Sequence, residues 1–142
     1  MPRPARIICV GNRHHPDDDL GPRVHALLAG SKLPDGVELV DGGLCGLDLL
    51  RVVEGAGRAV FVDAVEGFAP PGEVVMLGRE DVAALAEGPW GHDAGLPYLF
   101  HLLPQVCDGE MPDLMLIGAG CPAGAAVVAG IAARALEEAV RP

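Results

Sequence analysis

Basic charge is scarce in this 142-residue chain: ten Lys and Arg, with Lys32 the single lysine, stand against 20 Asp and Glu, a formal charge of −10. Nucleic acids and anionic membranes both require a basic face to release counterions or meet headgroups, so neither is an expected partner. Aromatics are few, namely Trp90, Tyr98 and three Phe, which leaves Val, Leu, Ile and Ala to fill a core. Cys9, Cys45, Cys107 and Cys121 show no CxxC or zinc-ribbon spacing, which speaks against a disulfide frame or a Cys-rich metal site and for reduced thiols. The apolar run at residues 7–10, behind a basic start, is far too short for a signal-peptide core, so the expected location is the cytoplasm. Residues 114–133 carry no charge, and a run of about 18 apolar residues is the usual sign of a membrane span. Gly118, Gly120, Pro122, Gly124 and Gly130 interrupt it, however, and a strand, a glycine turn and an Ala-rich helix account for it better.

What is present is apolar sequence in alternating blocks. Half of the residues are hydrophobic, too many for a disordered acidic chain, and the length suits a single domain over residues 1–142. The short apolar runs at 6–10, 59–62 and 114–117 predict buried strands, 37–40 predicts a further strand, and 73–77, after Pro70-Pro71-Gly72, predicts a shorter edge strand. Helices are predicted over 20–28 with Val24, Leu27 and Leu28 inward, over 47–53 with Leu47, Leu50 and Val53 inward, and over 81–86, 96–103 and 123–140. Alternation of this kind implies an α/β fold, a three-layer α/β/α arrangement around a mostly parallel five-stranded twisted sheet. Ligands of such sheets bind beyond the carboxyl ends of the strands. There the sequence puts Asn12 and Asp17 to Asp19, then Asp41, then Asp63.

Three adjacent carboxylates repel one another unless a cation, a proton or helix N–H groups compensate them. Asp17, Asp18 and Asp19 therefore read either as a cation site or as caps for the following helix. Asp63, at the top of the most apolar strand, needs a partner, which is a metal or a structural hydrogen bond to a neighbouring loop. His92 lies in a Gly/Pro-rich loop just before a helix, whereas His14 and His15 read as loop residues and His25 and His101 as helix residues. Asp18, Asp63 and His92 together make a set of two carboxylates and one imidazole that suits a borderline divalent transition metal. A phosphoacceptor receiver domain is disfavoured, because no Lys ends the late strand. The Gly118 to Gly124 segment matches neither GxGxxG nor a P-loop and reads as a tight strand-to-helix turn. Cys121, near a helix start, is a candidate for a lowered pKa, although no His is placed to activate it.

Four blocks in order resemble the nickel-iron hydrogenase maturation endopeptidases. They are Ile8-Cys9-Val10-Gly11-Asn12 with Asp17-Asp18 and Gly21; Glu38-Leu39-Val40-Asp41-Gly42-Gly43 with Gly46 and Leu49-Leu50; Val60-Phe61-Val62-Asp63-Ala64; and His92-Asp93-Ala94-Gly95-Leu96. The resemblance spans roughly residues 6–118. It implies an endopeptidase that removes a C-terminal extension from a nickel-loaded hydrogenase large-subunit precursor, with Asp18, Asp63 and His92 as metal ligands and the nickel supplied by the substrate. Asp17 or Asp41 would orient the attacking water, and Gly42 and Gly43 would admit the substrate backbone. The alternative on the same scaffold is a non-catalytic metal-binding or hydrogenase-assembly factor. The chain departs from the family pattern at Asp19, where a small residue is usual, at His14 and His15, where apolar residues are common, and beyond Gly118, where Gly/Ala-rich sequence replaces a proline-containing helix start.

Overall fold

The computed structural model describes residues 3–44, 49–65, 69–84, 95–107 and 109–142. Along the chain run β1 (Ala5–Val10), α1 (Leu20–Ala29), β2 (Val37–Gly43), α2 (Leu50–Val53), β3 (Arg58–Ala64), β4 (Val74–Gly78), α3 (Arg79–Ala84), α4 (Gly95–Val106), β5 (Asp113–Ala119) and α5 (Ala125–Val140). The strands form one five-stranded sheet in the order β2-β1-β3-β5-β4. The first four are mutually parallel, and β4 joins the far edge antiparallel to β5. Helices cover both faces, so the three-layer α/β/α arrangement expected from the apolar blocks is the observed one.

Strand alternation sorts the core into two halves. Ile7, Cys9, Val60, Val62 and Ile117 pack with Val24 and Leu28 of α1 and with Val128, Ile131 and Ala135 of α5. Ile8, Val10, Phe61 and Leu116 face the other way, onto Val53 of α2, Val82 of α3 and Leu99, Phe100 and Leu103 of α4. Ala59 through Val62 are fully buried, as a central strand covered on both sides requires. β4 instead alternates exposed and half-buried residues, with Val74 and Met76 exposed, as an edge strand does. The charge-free 114–133 run resolves into β5, a turn with a cis Cys121–Pro122 bond and the start of α5. Among the described residues no helix is long and apolar enough to cross a membrane.

Three details differ from the sequence expectation. Leu27 does not face inward: it is 46% exposed, while Leu20, Gly21, Val24 and Leu28 are buried. The close approach of the helix at Gly21 turns the buried stripe toward that side. The strands also run further than their apolar stretches. Pairing continues through Asp63 to Gly118 and Ala64 to Ala119 in β3 and β5, and through Gly43 in β2, because ladder hydrogen bonds need only backbone. Asp41 and Asp63 therefore stand within strands instead of just beyond them. Finally, α2 begins at Leu50, and Leu47 lies outside the described residues.

The Phe61 ring packs edge-on against Phe100, centroids 5.1 Å apart, and ties β3 to α4. Phe61→Ala is expected to lower unfolding stability by about 3–5 kcal/mol, measured by denaturant titration; a loss below about 1 kcal/mol would contradict the packing described.

Candidate active site

The carboxyl ends of β2, β1, β3 and β5 form one edge, and the register aligns the acidic positions along it. Cys9 pairs with Asp41 on one side and Val62 on the other, so Asp63 comes one step later, opposite Gly118. Asp63 is half-buried. Its neighbours Phe61 and Val65 belong to the α3/α4 half of the core and Val62 and Ala64 to the other half, so alternation directs Asp63 to the α4 face. His92 falls outside the described residues; the helix that begins at Gly95, three residues later, lies on this same face.

Asp18 reaches the edge by a different route. The loop after β1 doubles back: Asn12 N–H donates to Asp18 C=O at 2.8 Å, Asp18 N–H to His15 C=O at 2.9 Å and His15 N–H to Asn12 C=O at 3.1 Å. Two glycines make this possible. A Cβ on Gly11 would overlap the Asp18 carbonyl oxygen, and one on Gly21 would overlap the Val10 backbone. Asp18 is thereby pressed, half-buried, against the end of β1. Asp17 is exposed, its N–H donating to His15 Nδ1 at 3.3 Å. Asp19 occupies the N-cap of α1 but makes no side-chain cap hydrogen bond; its carboxylate stands 4.0 Å from Arg23. Of the three adjacent acids, then, Asp19 holds the capping position without performing the usual capping contact.

Asp41 is separated from Asp63. Leu39 packs with the α1/α5 half of the core and Val40 with the other, so alternation directs Asp41 to the α1 face. There it lines a groove of about 310 Å³ with Arg13, Asp19, Arg23 and His25. One carboxylate oxygen accepts Gly43 N–H at 3.0 Å and the other lies 3.3 Å from Arg13. An adjoining groove of about 370 Å³ runs past Gly11, Asn12, His14 and Gly43 to the exposed Leu44. The two glycines of this strand end differ in role. Gly43, at φ +59°, has no neighbour within 4 Å of its β-carbon position among the described residues, whereas a Cβ on Gly42 would press on Ile8 and Val10 within its own sheet. Sequence reasoning missed both arginines. Arg13 holds Asp41, and Arg23 joins α1 to the turn after β5 by donating to Ala123 C=O at 2.6 Å.

Carboxylate oxygens and an imidazole are the donor types a borderline divalent metal accepts. Asp18 and Asp63 supply the carboxylates at this edge. Among the described residues no group of three His, Cys, Asp or Glu stands close enough to hold a metal ion, and His92 is not one of those residues. Cys9 and Cys121 are both held toward the thiol form. Burial, then Asp41, pushes the Cys9 thiol from its ordinary value near 9 up to about 12. Cys121 is also raised, by desolvation first and then by Asp19 and Asp18, with Arg23 opposing. This reverses the lowered pKa that its place near a helix start suggested: burial raises the thiol first, and the nearby carboxylates add to it.

An α/β sheet with carboxylates gathered at its carboxyl edge, and with a helix seated on the first strand through glycine, defines the class of scaffold. The chain belongs to the hydrogenase maturation protease family, whose sequence model matches residues 22–140. Over 116 residues it is 36% identical to the hydrogenase 2 maturation protease of Escherichia coli strain K12, covering 79% of this chain and 70% of that protein. Among solved structures, the hydrogenase maturating endopeptidase HybD from E. coli aligns with a TM-score of 0.71 at 27% identity, over 95% of this chain and 88% of that one. A hydrogenase 2 maturation peptidase from a Thaumarchaeota archaeon aligns at 0.59 and 28% identity, over 96% and 95%. Membership of this family supports an endopeptidase role in hydrogenase maturation.

The raised Cys121 pKa has a testable sign. Removing the negative charge of Asp19 favours the thiolate, so Asp19→Asn is expected to speed iodoacetamide modification of Cys121 at about pH 8, while Cys9 stays unmodified in the folded protein. Peptide mapping by mass spectrometry reads both sites, and an unchanged or slower rate at Cys121 would contradict the electrostatic account.

Proposed function

We propose that this protein removes the C-terminal extension of a nickel-iron hydrogenase large-subunit precursor after nickel has been inserted, with Asp18, Asp63 and His92 as the groups that engage the nickel. The supporting observation is the edge itself. Asp18, folded back against the end of β1, and Asp63, in the adjacent strand β3, stand at the carboxyl edge, where α/β sheets bind ligands. In this reading the nickel arrives with the substrate. Held by Asp18, Asp63 and His92, it would supply Lewis-acid chemistry for hydrolysis of the scissile amide.

The chain's own residues bind, orient and admit. Asp18 and Asp63 offer negative charge at a half-buried edge, where it attracts a cation more strongly than in bulk water. Asp17, beside Asp18, and Asp41, at the same edge but directed to the α1 face, are the acids proposed to orient the attacking water. Asp41 is the better held, between Gly43 N–H and Arg13. Gly43, without a side chain and with no neighbour at its β-carbon position among the described residues, would admit an extended substrate backbone beside β2. Because precursor without nickel offers nothing for the carboxylates to engage, the site would sense metal insertion as well as cut.

Asp18→Asn, Asp63→Asn and His92→Ala are each expected to reduce processing of nickel-loaded precursor by roughly 100-fold or more, beyond the 10–100-fold typical of residues that merely support a ligand. Gel mobility of the large subunit reads the shortened product. Parental processing by all three variants would remove the proposed site. Absence of processing by the parent protein, with nickel still bound, would favour the non-catalytic assembly factor.

A further inference from the structure

We infer that Asn12 is a positioning residue for the reaction: its side-chain carbonyl and its peptide fold the 11–18 loop back on itself and so fix where the Asp18 carboxylate stands. The inference rests on the proposed role of Asp18. Asn12 is the hub of the loop. Its N–H reaches Asp18 C=O at 2.8 Å, its C=O takes His15 N–H at 3.1 Å, and its Oδ1 takes His14 N–H at 2.9 Å. The last contact is the two-residues-on bond by which Asn sets a local turn. The base of the loop is anchored next door, where Gly11 N–H donates to Gly43 C=O at 2.9 Å.

Asp19, at the N-cap of α1, makes no side-chain cap bond. The carbonyl of Asp18 rests where a Cβ of residue 11 would be, so any change in the turn at residue 12 is passed along the loop to Asp18. Alanine at this position keeps the backbone bonds but removes Oδ1. The His14 N–H then turns to water, and the start of the loop loses the contact that defines it. His14 is exposed, so little stability is lost, whereas the aim of Asp18 is.

The test compares Asn12→Ala, Asn12→Asp and Asp63→Asn with the parent on nickel-loaded precursor, measuring kcat, KM and thermal unfolding. Asn12→Ala is expected to lower kcat by about 10-fold, the scale of supporting contacts around a metal ligand, with KM and the unfolding midpoint unchanged. Asn12→Asp keeps the acceptor and is expected to restore kcat. Parental kcat in Asn12→Ala, equal damage in Asn12→Asp, or a kcat loss that simply follows a lower unfolding midpoint would each overturn the inference. If Asp63→Asn is inactive while Asn12→Ala is parental, only the role of Asn12 falls; if Asp63→Asn is fully active, the carboxylate site and the inference fall together.

Discussion

Backbone packs on backbone where α1 meets β1, and the geometry of the acidic edge follows from that contact. Gly21 has no side chain, so the first turn of the helix sits directly on Val10. This closeness gives the 11–18 loop no room to extend, and Gly11 yields the remaining space to the Asp18 carbonyl. The same approach selects the buried stripe of α1 and turns Leu27 to solvent. A β-carbon at residue 21 would force helix and strand apart, and the acid held between them would move with the helix.

Parallel pairing supplies the second half of the arrangement. Because β2, β1, β3 and β5 all run the same way, their carboxyl ends fall on one edge, and the register brings Asp41 and Asp63 to nearly the same level. Alternation then divides them, Asp41 toward α1 and Asp63 toward α4. Arg13 and Arg23 both stand on the α1 side, beside Asp41 and Asp19. The excess of acid in the composition is thus mostly diffuse surface charge, with a small part concentrated where strand geometry requires it.

Much of this was legible in the sequence, for identifiable reasons. Buried parallel strands must be apolar throughout, so Val60-Phe61-Val62 and Leu116-Ile117 announce the centre of the sheet. A short strand after Pro-Pro-Gly belongs at an edge, which is where β4 lies. Other features depend on tertiary contact and leave no local trace. The reach of β3 through Asp63 is decided by its partner strand β5. The rise at Cys121 comes first from burial and then from Asp19 and Asp18, which are distant in sequence and near in space. The opposite faces taken by Asp41 and Asp63 follow from counting residues along strands whose ends the apolar pattern understates. The glycines were visible as a motif, but only the fold reveals that Gly21 and Gly11 are spacers for other backbone, while Gly43 has no neighbour at its β-carbon position among the described residues.

Fold and family agree on the hydrogenase maturation proteases, and the proposed mechanism makes the cation at the acidic edge part of the substrate. The most direct measurement incubates the purified protein, stripped of metal, with large-subunit precursor prepared once with nickel inserted and once without. The expected result is a shortened large subunit from the nickel-loaded precursor alone. Equal cleavage of both precursors would contradict the account.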